Sequence, residues 1–369
     1  MKILILTNYA NGLYLFRKEL LLALIADGHE ISVSLPPDEN VDKLRGLSLK
    51  GKGPEIIETP FERRGNNPIK DMGLFKTYLR LLKQQKPDLV FTYTIKPNLY
   101  GGLACRIKRV PYICNVTGLG TAIENAGILS KILLLFYRIS MKKARRVFFQ
   151  NSKNLSFMHQ HGIAVANSKL LPGSGINLEE HPFEDYPSEE QGICFLAVIR
   201  IMKDKGIEEY LAAAQMMKAR HKQSEYYLVG EYEEETRSIY EPRIKELQEK
   251  DIIKYLGHID YVKDVMAKCH VIVHPSYHEG LSNVLLEAAA CGRPVLASDI
   301  NGCIETFVEG ESGFSFDIKN TKALVEAMEK ILTLSPSQRK LMGVAGRAWV
   351  EKNFDRNIVI EAYRDELKS

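Results

Sequence analysis

The stretch VIVHPSYHEGLSNVLLEAAACGRPVLAS, residues 271–298, decides the architecture. It opens on a β-branched apolar run, and Pro275 stops that run from continuing as a helix. From Asn283 the apolar positions change period, NVLLEAAA, which predicts a helix ending near Gly292. A second short apolar run, PVLAS, follows at once. Strand, helix and strand in this compass form a βαβ unit, whose two strands must lie parallel because the helix carries the chain back to the starting edge.

The same alternation runs along the whole chain. In the first half KILILT, EISVSL, PEIIET, DLVFTY, YICNV, RVFFQ and SKLLP predict strands, with helices near 13–27, 71–85, 98–108, 129–143 and 152–160. Residues 172–192 are rich in proline and acids, lack any period and read as a linker. A second series follows, with strands at ICFLAVI, EYYLVG, IIKYLG, VIVHPS, PVLAS and GFSF and helices near 207–220, 237–249, 261–268, 282–291, 321–333 and 336–352. A chain of 369 residues exceeds one ordinary domain. The expected fold is therefore α/β, two doubly wound Rossmann-like domains facing a cleft, with ligands at the carboxyl ends of the strands.

With 45% hydrophobic and 26% charged residues the composition is that of a globular chain. Six scattered cysteines without a CxxC pair suit a reducing, cytoplasmic setting. The opening ILIL run is too short for a secretory signal, and the charge-free stretch Val110–Ile123 falls short of the roughly 20 apolar residues a spanning helix needs. Charge is uneven: residues 1–178 hold 26 Lys and Arg against 12 Asp and Glu, a net of +14, while the rest holds 24 against 34, a net of −10. Concentrated positive charge attracts phosphates, nucleic acid or anionic lipid.

Glu279 and Glu287 stand eight residues apart around the start of the 283 helix. The amides of Gly280, Leu281 and Ser282, followed by Asn283 and Val284, lie where a helix N-terminus binds an anion. Glu287, about one turn further in, suits a ribose diol. The plainer alternative has Glu279 and Asn283 capping the helix and Glu287 pairing with a nearby base. A second strand-to-helix junction, ICFLAVIRIMKDKGIEEYL at 193–211, shifts the balance. There Arg200 leaves the strand and Lys205 precedes Gly206 and a helix, and two cations so placed neutralise a diphosphate. The sequence contains no Asp-x-Asp, so that charge must be met by the protein itself and no metal is expected. His270, His274 and His278 have helical metal spacing, but they fall on a strand interrupted by Pro275, which argues against ligation.

The pattern Val198-Ile199-Arg200, then Lys205-Gly206, then Glu279 and Glu287 in HEGLSNVLLEA resembles the retaining family-4 glycosyltransferases of GT-B fold. The resemblance covers nearly the whole chain. It implies that Arg200 and Lys205 hold the diphosphate of a nucleotide sugar, that Glu279 and the amides after it contact the sugar, and that Glu287 holds the ribose. Gly230, closing the strand EYYLVG, joins the donor side, and Glu279, Arg200 and Lys205 are the catalytic candidates. The domains are then expected at 1–178 and 179–350, with a helix over 351–369 returning to the first domain.

The first domain has its own glycine-bearing turn, TNYANG, where Gly12 permits a close approach of donor or acceptor and an ordinary turn is an equal reading. FTYTIKPNLYGG at 91–102, ERRGNNP at 62–68 and NVTGLGTAI at 115–123 resemble a subgroup that extends lipid-linked oligosaccharides in capsule, O-antigen and glycoprotein pathways. That implies a polyprenyl-diphosphate acceptor, with Arg63, Arg64, Lys96, Asn98, Thr117 and Gly118 as candidate contacts. Many family members carry a His where Thr117 stands, so the sugar is left open.

Residues 128–149 carry an apolar stripe of Leu129, Ile132, Leu133, Phe136 and Ile139 among Lys131, Arg138, Lys142, Lys143, Arg145 and Arg146. Such a helix lies in an anionic membrane interface, or else packs its stripe on the sheet. The expected activity is transfer of a hexose or N-acetylhexosamine from a UDP-sugar to a lipid-linked glycan, without a cofactor, by an enzyme peripheral on the inner face of the cell membrane. Two alternatives stand beside it: a UDP-sugar epimerase of the same fold, and a nucleic-acid-binding protein, which the lack of exposed aromatics among the cations disfavours.

Overall fold

The computed structural model describes residues 1–62, 68–119, 123 and 127–368. They form two compact units, Met1–Gly175 with Asn357–Ser369, and Ile176–Arg356. The sequence reading set its breaks at 178 and 350. The units divide elsewhere because Ile176 bridges to Asp355 and the helix Pro336–Phe354 runs past 350.

The first unit holds strands β1 (Lys2–Leu6), β2 (Glu30–Leu35), β3 (Glu55–Glu58), β4 (Leu89–Tyr93), β5 (Tyr112–Val116), β6 (Arg146–Phe149) and β7 (Ser168–Leu170). They make one sheet in the order β3-β2-β1-β4-β5-β6-β7, parallel throughout. Both faces are covered, which is why its central strands read as unbroken apolar runs. Alternation still operates: Ile3, Ile5 and Phe91 join one core cluster, and Leu4, Leu6 and Val90 another. The C-terminal helix Arg356–Lys368 sets Tyr363 against that first cluster, its ring 4.9 Å from Phe148 and 5.2 Å from Phe91.

The second unit holds β8 (Cys194–Val198), β9 (Glu225–Val229), β10 (Lys254–Tyr255), β11 (Val271–His274), β12 (Val295–Ser298) and β13 (Gly313–Phe316). Their order is β10-β9-β8-β11-β12-β13, again parallel. Phe195, Ala197, Val271 and Val273 face one core, and Cys194, Leu196 and Ile272 the other. All six cysteines are buried and free.

Each sheet reverses its winding once, between β1 and β4 and between β8 and β11. The crevice outside the carboxyl ends at such a point is where open α/β sheets take ligands.

Candidate active site

The chain leaves β8 through Arg200 into a short 3₁₀ turn, Lys203–Lys205, and leaves β11 through Pro275 into the loop before the helix Asn283–Ala290. Gly206 locks the two loops together. Its φ is +72°, and a Cβ there would lie 2.0 Å from the Pro275 carbonyl oxygen, so only glycine lets the loops meet. Across this junction Lys205 Nζ donates to Glu279 Oε1 at 2.6 Å, with longer approaches to Ser276 Oγ at 3.3 Å and the His278 carbonyl at 3.4 Å. The side chains of the pair are only 17% and 15% exposed.

Glu279 has a second partner, His274 Nε2, at 2.9 Å on the same oxygen. Burial opposes ionisation of the carboxyl, yet the bonds and charges of His274 and Lys205 outweigh it and hold the group down at about 2. A buried ion pair adds little net stability once desolvation is counted, so one kept at a sheet's switch point argues for chemistry. Arg200 stands on the same loop, but its guanidinium reaches Glu233 Oε1 at 2.5 Å and its side chain is 55% exposed. The structure thus joins Lys205 to Glu279 directly and leaves Arg200 at the rim.

The helix at 283 is capped by Ser282, whose hydroxyl accepts from the Leu285 amide at 3.4 Å. Glu279 and Asn283 are not its caps. The Ser282 amide itself donates to the Gly302 carbonyl at 2.7 Å, which removes it from the expected set of anion donors. Among the described residues the amides of Leu281, Asn283 and Val284 find no acceptor. Gly280 packs under Gly302, where a Cβ would lie 2.9 Å from the Gly280 carbonyl and 2.8 Å from that of Glu279. Glu287, on the second turn of the same helix, has no hydrogen-bond partner for its carboxylate among the described residues. Burial pushes it up to about 7, against the pull of the Arg356 charge. Gly230 has a structural explanation: a Cβ would strike the Ile199 carbonyl at 1.7 Å where β9 runs beside β8.

In the other unit several expected contacts are taken by the fold. The helix containing residue 98 begins as a π-turn, Pro97–Gly101, which tips Asn98 inward. Asn98 is buried, accepts from Thr92 Oγ1 at 2.6 Å and donates to the Asn115 carbonyl at 2.8 Å, so it ties β4 to β5 and is not displayed. Lys96 donates to Asp71 at 2.7 Å, both side chains largely buried. Gly12 lies in the first turn of the helix Ala10–Ala26 against the Tyr9 ring. Thr117 and Gly118 follow β5 partly open, with free space where a Gly118 Cβ would stand. Arg63 and Arg64 lie outside the described residues.

The basic segment is the inverse of a packing helix. Ile128–Met141 buries Ser130, Tyr137, Ser140 and Met141, and leaves Ile128, Leu129, Ile132, Leu135, Phe136 and Ile139 between 37% and 80% exposed. Of the expected stripe, Leu133 alone is partly buried, packed against the core. Lys131, Lys142 and Lys143 are exposed beside it. Arg138 donates to the His161 carbonyl, and Arg146 pairs with Glu366 at 2.6 Å and leaves the cationic set.

Sequence reasoning missed His274, Ser282 as the cap, and Gly302. His274 was weighed only as a metal ligand; its place as the last residue of a buried strand, five before a candidate catalytic carboxylate, was the available signal. Gly302 shows itself only once the loop after β12 is seen beneath Glu279.

Two parallel-sheet units with these switch points define the GT-B fold. The structure matches HepE from Anabaena, solved in complex with UDP, over the whole of both chains at 18% identity and TM-score 0.81. It also matches sucrose-phosphate synthase from Thermosynechococcus elongatus at 20% identity and TM-score 0.80, over 100% of this chain and 99% of the other. Residues 2–151 match the family described as glycosyl transferase 4-like, and residues 179–349 the family described as glycosyl transferases group 1. Both halves of the chain thus match glycosyltransferase families, and it is an enzyme of sugar transfer. Among its relatives is the N,N'-diacetylbacillosaminyl-diphospho-undecaprenol alpha-1,3-N-acetylgalactosaminyltransferase of Campylobacter jejuni, 28% identical over 98% of this chain and 97% of the relative. The capsular polysaccharide biosynthesis glycosyltransferase CapM of Staphylococcus aureus is 28% identical over 88% of each.

Proposed function

We propose that the protein moves an N-acetylhexosamine or hexose from a UDP-sugar to a hydroxyl of a glycan carried on polyprenyl diphosphate, with retention and without a metal ion. The observation that carries this reading is Lys205 set on Glu279 at the β8/β11 switch point, beside helix amides that have no acceptor. The acceptor named for the Campylobacter relative and the UDP held by HepE support the two substrate classes.

Lys205, with Arg200 at the rim and the amides of Leu281, Asn283 and Val284, receives the departing diphosphate. Glu279 stays ionised at working pH, so it steadies positive charge on the sugar and does not act as a proton donor. The acceptor oxygen bonds to the anomeric carbon on the face the diphosphate leaves. Its proton passes to a diphosphate oxygen, which closes the balance and retains configuration. Glu287 holds the ribose hydroxyls. Among the described residues no helix is long and apolar enough to cross a membrane. The exposed face of the 128–141 helix with Lys131, Lys142 and Lys143 docks the enzyme on the inner, anionic surface of the cell membrane, where a lipid-linked acceptor resides.

The test is an assay of UDP-sugars with and without a polyprenyl-diphosphate glycan, reading UDP release and the anomeric configuration of the product. Transfer is expected only when both substrates are present, with retention, and undiminished by a chelator. An epimerised sugar or free UDP without acceptor assigns the epimerase alternative, and an inverted product overturns the mechanism.

A further inference from the structure

Resting on the proposed donor site, we infer that His274 is the positioning residue that keeps Glu279 in place once a donor diphosphate has drawn Lys205 away. Both donors fall on one oxygen: Lys205 Nζ at 2.6 Å and His274 Nε2 at 2.9 Å share Glu279 Oε1. Among the described residues Oε2 has no partner. A carboxylate only accepts hydrogen bonds, so Nε2 must carry the proton. His274 Nδ1 is buried and finds neither donor nor acceptor among the described residues.

The contrast with His270 is direct. There Nδ1 accepts from the Cys194 amide at 3.0 Å and Nε2 lies 3.2 Å from the Ser188 carbonyl, so both nitrogens serve the scaffold. His274 bonds one atom only, and that atom belongs to the candidate catalytic carboxylate.

Lys205 cannot serve the carboxylate and a diphosphate with the same geometry. Its flexible stem sits on a short turn, whereas His274 is the last residue of a central strand with its side chain 4% exposed. When the ammonium moves, a largely buried carboxylate with no other donor swings or takes up a proton. His274 prevents both and leaves Oε2 free for the sugar. The charged and titratable groups around Glu279 are Lys205 from the turn after β8, His274 from β11, and Cys303 and Glu305 from the segment after β12. Removing the imidazole therefore leaves no second charged or titratable donor among the described residues to take its place.

His274→Phe removes the donor and keeps a ring; His274→Gln keeps an N–H. The Phe variant is expected to lose about 10- to 100-fold in kcat, the usual cost of losing an orienting partner. Its kcat should also gain an acidic limb as pH falls toward 5, absent from the wild type, with Gln restoring most of the rate and removing the limb. Wild-type kcat and a flat profile in the Phe variant overturn the inference. So does a slow Phe variant with no acidic limb and no rescue by Gln, which marks a packing role. If the Phe variant fails to fold, as read by its thermal shift with UDP, the same comparison is made between His274→Gln and His274→Leu. A wild type that transfers no sugar from any UDP-sugar fails at the proposed function, before His274 is reached.

Discussion

Two lysine–carboxylate pairs stand near the switch points of the two sheets, and their lengths barely differ. Lys205 meets Glu279 at 2.6 Å and Lys96 meets Asp71 at 2.7 Å, each pair largely buried. The difference lies in the second oxygen. Asp71 Oδ2 is taken by Tyr100 Oη at 3.1 Å, which closes that pair. Among the described residues Glu279 has both donors on one oxygen and none on the other, and three amides of the loop and helix after it find no acceptor. A pair whose two carboxylate oxygens are both engaged is part of the framework, and one that keeps an oxygen in reserve is equipped for a ligand.

The comparison is broken most forcefully at Lys205. Lys205→Ala should cut turnover by several hundredfold, which corresponds to about 3 to 4 kcal/mol of lost transition-state stabilisation. Near-normal steady-state rates would remove Glu279 and Lys205 from the chemistry.

Glu287 sharpens it through pH. Its carboxyl is raised from 4.5 to about 7 by burial, so the folded state binds the proton more tightly than the unfolded chain. Protonated below pH 4.5, it costs nothing extra; as pH climbs toward 7 the folded chain must either keep the proton or bury a charge, and stability falls across that window. Glu287→Gln should flatten this part of the stability curve and raise stability at pH 8 by at most about 3 kcal/mol, measured by chemical denaturation at several pH values. The same variant should bind UDP more weakly, and an unaltered UDP affinity would detach Glu287 from the ribose.

Lys96 provides the reciprocal test. Lys96→Met strands a largely buried Asp71 and should cost about 2 kcal/mol of stability while kcat of the folded fraction stays within a factor of about three. A large fall in kcat with unchanged stability would return Lys96 to the acceptor site.

The fold was legible because both sheets are covered on two faces, so each strand announced itself as an apolar run and each crossover as a change of period. The donor loops were legible for a related reason: Gly206 and the cations around it are adjacent in sequence, so their spacing carries their geometry. Asn98 and Arg146 were not, because the partner that settles each role is distant along the chain and on another element. Asn98 and Lys96 sit within a few residues of each other at the end of β4, and nothing in the local sequence says that Asn115 and Asp71 will turn both inward. For His274 the failure was of another kind: it was considered as a metal ligand and set aside, and its bond to Glu279, only five residues on, was not considered.

The smallest predicted effect concerns the helix at 128–141. The crossover helix Ile207–Arg220 of the other unit buries Ile207, Tyr210, Leu211, Ala213, Ala214 and Met217, as a helix on a sheet should. Ile128–Met141 divides its apolar residues, burying Tyr137 and Met141 with Ser130 and Ser140 and turning six other large apolar residues outward, with cations at its rim. Its exposed stripe favours insertion at an apolar boundary, and Lys142 and Lys143 add headgroup attraction of about 1 kcal/mol each. Each Lys→Ala change should weaken partition onto anionic vesicles about fivefold and leave partition onto neutral vesicles unaltered. Equal sedimentation of wild type and the double variant with anionic vesicles would take the charged bilayer away from this face.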